Sequence, residues 1–131
     1  MTDVTHADLS ILSRWDTPTI CNALELVTPE RRALGFTTEH MMCLDPQLAP
    51  IVGYARTATV RAVTAPTIDR ELVKAQRAGY YEHIAESPGP TVSVIQDLDP
   101  HPGFGAFWGE VNTAVHKGLG CLGAVTNGSI R

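Results

Sequence analysis

Long apolar runs are missing from this 131-residue sequence. None approaches the ~18 residues a helix needs to cross a bilayer, so no membrane span is expected. The opening residues, MTDVTHADLSILSRWD, carry acids early and no basic stretch leading into an apolar one. A secretory leader is therefore not expected, and the implied location is cytoplasmic. Basic charge is also scarce. Ten Lys+Arg stand against fourteen Asp+Glu, a formal charge of −4, which argues against nucleic acid as a main partner. Only Cys21, Cys43 and Cys121 are present, widely spaced and without a CxxC pair, as expected of a reducing compartment. His40 and Cys43 have ligand spacing, but no second pair completes a zinc site, so they read as buried or edge-strand residues.

What is present suits a folded core. Hydrophobic residues make up 44% and charged ones 18%, and 131 residues favour one domain spanning 1–131. Leu9, Ile11, Leu12 and Trp15 predict a short helix over 7–15. Asp16-Thr17-Pro18 marks a second helix start, running through Leu26. Phe36–Leu44 and Ile51–Val63 read as strands, the second with Ala58, Val60 and Ala62 on a buried face and Thr57, Thr59 and Arg61 on a polar one. Residues 67–86 read as a long helix with Ile68, Leu72, Val73 and Ala75 on one face, stopped by Ser87-Pro88-Gly89-Pro90.

The C-terminal third carries the chemistry. Thr91–Gln96 is a β-branched run expected of a buried strand, and 97–103 must be loop. A helix is expected from about Gly105 to Lys117, with Ala106, Phe107, Val111, Ala114 and Val115 as its apolar stripe; Cys121–Thr126 is a second buried strand. Together they make a βαβ unit with parallel strands. In such a unit the strand carboxyl ends and the helix amino end share one sheet edge. The loop at 97–104, the free N–H groups around Gly109–Asn112 and the segment ending in Arg131 therefore converge. Unpaired helix N–H groups favour an anion, and a guanidinium opposite them can grip a carboxylate or phosphate in two places. The glycines would equally serve a tight turn, with Arg131 paired to a surface acid.

Rival chemistries find less support. Gly103-Phe104-Gly105 lacks the third glycine of a dinucleotide fingerprint, and Val125-Thr126-Asn127 brings no ribose-binding acid. No GxSxG elbow exists. Lys74 and Lys117, the only lysines, fall mid-helix and at the far helix end, away from a Schiff-base pocket. For a metal-assisted reaction, Glu110 sits inside the pocket while Asp97 and Asp99 lie on its rim.

Four segments carry a resemblance. Asp16-Thr17-Pro18-Thr19, Val52-Gly53-Tyr54-Ala55-Arg56-Thr57, Gly105-Ala106-Phe107-Trp108-Gly109-Glu110 and Gly120-Cys121-Leu122-Gly123-Ala124-Val125-Thr126-Asn127-Gly128-Ser129-Ile130-Arg131 resemble the motifs of the RraA-like family, over residues 9 to 131. That family includes 4-hydroxy-4-methyl-2-oxoglutarate aldolases, which also decarboxylate oxaloacetate, and a regulator of ribonuclease activity. The resemblance implies an α/β fold, the ββα swivelling sandwich, in homotrimers or hexamers. It implies that backbone at Gly109, Glu110, Val111 and Asn112 holds a pyruvoyl carboxylate, and that Arg131 binds the 2-oxo acid and stabilises its enolate. Glu110 would orient a water on Mg²⁺ or Mn²⁺. The family's metal aspartate follows the arginine, whereas this sequence ends at Arg131, so a C-terminally truncated form is expected, with no direct metal ligand of its own. Asn127 stands where many of the aldolases have an acid before the glycine. The expected function is a metal-dependent pyruvate lyase. The alternative is a non-catalytic regulator that binds and inhibits a ribonuclease.

Overall fold

The computed structural model describes residues 3–34, 36–63 and 65–131. The reading of 1–131 as one domain includes four residues that lie outside the described ones. The chain divides into two compact units, up to Ile51 and from Val52 onward.

The first unit is helical where capping side chains are supplied. In α1 (His6–Leu12), the Thr5 hydroxyl accepts from the Asp8 N–H and the Asp8 carboxylate accepts from the Thr5 N–H, a reciprocal cap. In α2 (Thr17–Val27), Asp16 accepts from the Thr19 N–H at 2.9 Å, with proline in the first turn. A short 3-10 turn, Pro29–Arg31, follows. Phe36–Leu44 is not a strand. It is irregular, and Phe36, Met42 and Leu44 are all exposed. Strand propensity counts only where a neighbour completes the ladder, and among the described residues this segment has none. His40 and Cys43 are exposed too, against the expectation of burial.

The second unit alternates strand and helix: β1 (Tyr54–Val60), α3 (Arg70–Ala85), β2 (Thr91–Asp97), α4 (Glu110–Gly118) and β3 (Cys121–Thr126). The sheet order is β1-β2-β3 and every pairing is parallel, so the chain makes two successive βαβ crossovers rather than the single one expected. This is a mixed α/β architecture. β1 is shorter than the predicted Ile51–Val63 because its ladder extends only as far as the seven residues of β2. Within β1 the period-2 pattern holds, with Ala58 and Val60 half-buried and Thr57 and Thr59 exposed, but Ala62, expected on the buried face, lies beyond the strand and is exposed. On β2, Thr91, Ser93, Ile95 and Asp97 form the buried side.

The helices pack differently from their apolar periodicity. Leu72 and Ala75 are exposed, and α3 packs instead through its C-terminal half, where Ile84 is fully buried. In α4 the predicted stripe faces outward, with Val111 75% exposed, while His116 is 2% exposed. Asn112, His116 and Leu119, spaced one and two turns apart, are the inward residues. An aromatic cluster explains the choice. The Trp108 ring lies 4.5 Å from His116, and Tyr80, Tyr81 and Phe107 also pack within 6.3 Å of it. Such rings bury more area than valine and alanine can.

Candidate functional site

The strand ends are tied together by two aspartates. Asp97 and Asp99 are buried rather than on a rim, at 6% and 5% exposed. Asp97 accepts N–H groups from Gly103 at 2.7 Å and Asp99 at 2.9 Å, and Asp99 accepts those of Ala62 and Val63 at 2.8 and 3.0 Å. Both Asp97 oxygens and Asp99 Oδ2 are thus engaged by backbone N–H groups, which pins the loop after β2 to the end of β1. Asn127 completes the tie. Its carboxamide accepts from the Asp97 N–H at 2.7 Å and donates to the Asp97 carbonyl at 3.2 Å. An aspartate there could accept but not donate, so Asn127 is a structural clip rather than a free specificity group.

The N–H donors of Gly103 and Asp99 hold the Asp97 carboxyl below its usual 3.8. A carboxyl lowered in the folded state contributes stability that is present above the unfolded value and lost as pH falls through the folded one. Unfolding followed by circular dichroism is therefore expected to become easier below about pH 4, with the helix-capping Asp8 and Asp16, also lowered by their hydrogen bonds to Thr5 and Thr19, contributing. Asp97→Asn should flatten part of that acid slope. An unchanged slope in the variant would remove Asp97 from the account.

Beyond this tie the chain forms the start of α4. The expected helix start near Gly105 is corrected to Glu110. Gly103 has φ 98° and Ala106 φ 36°, both left-handed, so no helix can run through them. Gly109 is an extended N-cap without a side-chain cap. The first helical bond is from the Thr113 N–H to the Gly109 carbonyl at 2.9 Å. Among the described residues, nothing accepts from the N–H groups of Glu110, Val111 and Asn112. Glu110 and Val111 are exposed and Asn112 is half-buried, so this helix end opens to solvent.

Arg131 arrives beside it. The Arg131 N–H donates to the Trp108 carbonyl at 3.0 Å, and Ile130 bridges Trp108 in parallel. A methyl group added to Gly109 would meet Arg131 Cγ at 3.4 Å and Nε at 3.7 Å. The exposed Arg131 side chain therefore lies over the helix start, and Gly109, Glu110, Val111, Asn112 and Arg131 come together as the βαβ geometry predicts. A positive helix end and a guanidinium side by side favour a small anion. Tyr80, Tyr81, Phe107 and Trp108 pack around His116. Phe107 stands in the expected apolar stripe and Phe107-Trp108 in a quoted motif, while Tyr80 and Tyr81 are signalled only as an adjacent pair late in α3.

Among the described residues, no group of three His, Cys, Asp or Glu side chains gathers where a metal could sit. Both Asp97 oxygens and one Asp99 oxygen are engaged by backbone and Glu110 stands alone at the helix start, so the described residues do not by themselves make a direct ligand set for Mg²⁺ or Mn²⁺. No helix among the described residues is long and apolar enough to cross a membrane. Comparison with family models, with curated proteins and with solved structures gives no match for this chain.

Proposed function

We propose that this chain is a pyruvate-forming carbon–carbon lyase of the RraA-like type, which cleaves 4-hydroxy-2-oxo acids and decarboxylates oxaloacetate. One observation supports the reading: Arg131 lies over an uncapped helix start whose three N–H groups have no acceptor among the described residues. The quoted motifs supply the reaction class. A 2-oxo acid would rest its C1 carboxylate on the N–H groups of Glu110, Val111 and Asn112 and turn its C2 oxygen toward Arg131. As the C3–C4 bond breaks, its electron pair moves into C2–C3, giving the pyruvate enolate. CO₂ leaves from oxaloacetate, or the carbonyl fragment from a 4-hydroxy-2-oxo acid after its hydroxyl proton is removed. Arg131 stabilises the oxyanion, an effect that is usually the largest in such reactions. Glu110, the first residue of α4, is the group proposed to take and return protons through water. The reading carries with it the swivelling ββα sandwich, a homotrimer or hexamer, and Mg²⁺ or Mn²⁺ as cofactor.

The test is pyruvate release from oxaloacetate and from 4-hydroxy-4-methyl-2-oxoglutarate, with Mg²⁺ and with EDTA, each corrected for the protein-free reaction. Turnover above the protein-free rate is expected on at least one substrate, and the EDTA arm reads whether a divalent ion contributes to it. No release from either, by protein of intact assembly, would sink the lyase reading. The ribonuclease-binding regulator would then take its place.

A further inference from the structure

We infer that Tyr81 is a positioning residue for the N–H cradle at the start of α4, acting through Asn112. The inference rests on the anion-binding reading of that helix end. Asn112 belongs to the cradle, and three contacts fix it. Its amide nitrogen donates to the Phe107 carbonyl at 2.5 Å, which leaves its amide oxygen to accept from the Tyr81 hydroxyl at 3.0 Å. Its own carbonyl receives the His116 ring at 2.6 Å.

The same logic settles the histidine. A carbonyl only accepts, so His116 Nδ1 carries the proton. In the neutral ring Nε2 then accepts from the Tyr80 hydroxyl at 2.6 Å, and the buried Ser93 hydroxyl can donate to the Tyr80 oxygen at 3.2 Å. Burial raises the Tyr80 phenol above its ordinary value of 10.0, which keeps it a donor. Every polar atom of this chain has a defined role, and it anchors the middle of α4 to β2 and α3.

The two tyrosines therefore divide the work. Tyr80 and His116 hold the body of α4 against the sheet. Of the two, Tyr81 bonds the Asn112 side chain directly, whereas Tyr80 reaches Asn112 only through the His116 ring on its carbonyl. In a helix of nine residues the first turn has little stiffness of its own, so a side chain that fixes Asn112 also fixes the direction of the N–H groups at 110–112. A geometric error there weakens a ligand without altering which groups react.

Tyr81→Phe removes one hydroxyl and keeps the ring. Ile84→Val, on the same helix and fully buried, serves as a control that loosens packing without touching Asn112. In ligand-free protein, the backbone amide resonances and order parameters of Glu110, Val111 and Asn112 are expected to change in Tyr81→Phe. They should stay in place in Ile84→Val, and those of Cys121–Thr126 should stay in both. With oxaloacetate, KM should rise about three- to tenfold in Tyr81→Phe, the size of one neutral hydrogen bond, with kcat within about twofold of the unaltered chain. Unmoved amides at 110–112 in Tyr81→Phe would overturn the inference, as would an equal KM rise in Ile84→Val. Amides that move in a chain releasing no pyruvate would uphold the positioning role and sink the lyase reading.

Discussion

Arg131→Ala should lower oxaloacetate turnover by about 10²–10³-fold, the usual cost of losing a donor aimed at developing negative charge. Arg131→Lys should restore only part of it. The charge returns, but lysine offers a point where arginine offers a planar fork, and two-point contact with a carboxylate or enolate is lost. Stability should hardly change. Arg131 is exposed and, among the described residues, its side chain forms no hydrogen bond or ion pair, so unfolding midpoints of both variants should lie close to the parent. Steady-state kinetics beside urea unfolding separates the two effects. Parental turnover in Arg131→Lys would take the fork out of the reaction. A large fall in stability would make Arg131 part of the scaffold instead.

Gly105→Ala should act the other way, on folding first. A methyl group at Gly105 would lie 1.8 Å from the Ala62 methyl and 3.3 Å from its Cα, so the two segments must part. They are not free to do so. Asp99 holds Ala62 and Val63, and Asp97 holds Gly103, two residues from the new methyl. Overpacking of this kind costs about 1–3 kcal/mol, offset by the roughly 0.4–1 kcal/mol that alanine gains by stiffening the unfolded chain. Urea denaturation should therefore show a net loss. Adding Ala62→Gly removes the closer contact and should recover part of it, a coupling readable in a double-mutant cycle. A Gly105→Ala protein of parental stability would mean that the loop yields more easily than its hydrogen bonds suggest.

The contrast between these positions marks what the sequence made legible. Arg131 and the start of α4 could be brought together beforehand because a βαβ unit leaves no choice about which ends share an edge. Thr91–Gln96 is readable as a strand because buried parallel strands are continuous β-branched runs between turn residues. Cys121–Thr126 is a strand but not the buried one expected: only Cys121 is buried, and Leu122, Ala124 and Val125 are exposed at the sheet's edge. Phe36–Leu44, with fewer β-branched residues, is no strand, since composition does not reveal whether a partner is adjacent. The start of α4 was placed near Gly105 because Ala106 and Phe107 fit a helical stripe. In the folded chain Ala106 is left-handed and Phe107 packs on Tyr80 and Trp108. The Asp97–Asn127 clip depends on β2 and β3 lying side by side with Ile95 opposite Thr126, a register reached only after a one-residue shift between Thr91 and Ser93, and no local pattern encodes that. The swap of faces in α4 has a related cause. Periodicity counts valine and alanine as core and histidine as surface, yet His116 is buried because Tyr80 and the Asn112 carbonyl satisfy both ring nitrogens.

The parallel sheet has one more consequence, for how the chain reaches this state. Tyr54 pairs with Thr91 and Thr91 with Cys121, so each ladder closes only after a whole helix has been traversed, and no hairpin can nucleate the sheet. Closure entropy is spent before any strand contact repays it, which places the second unit among slower-folding topologies. During that interval the central run Val92–Ile95 is bare on both sides, with the same hydrogen-bonding edge to offer another copy as to β1. Refolding is a race between an intramolecular closure that ignores protein concentration and an intermolecular pairing that rises with it, so dilution favours the native sheet.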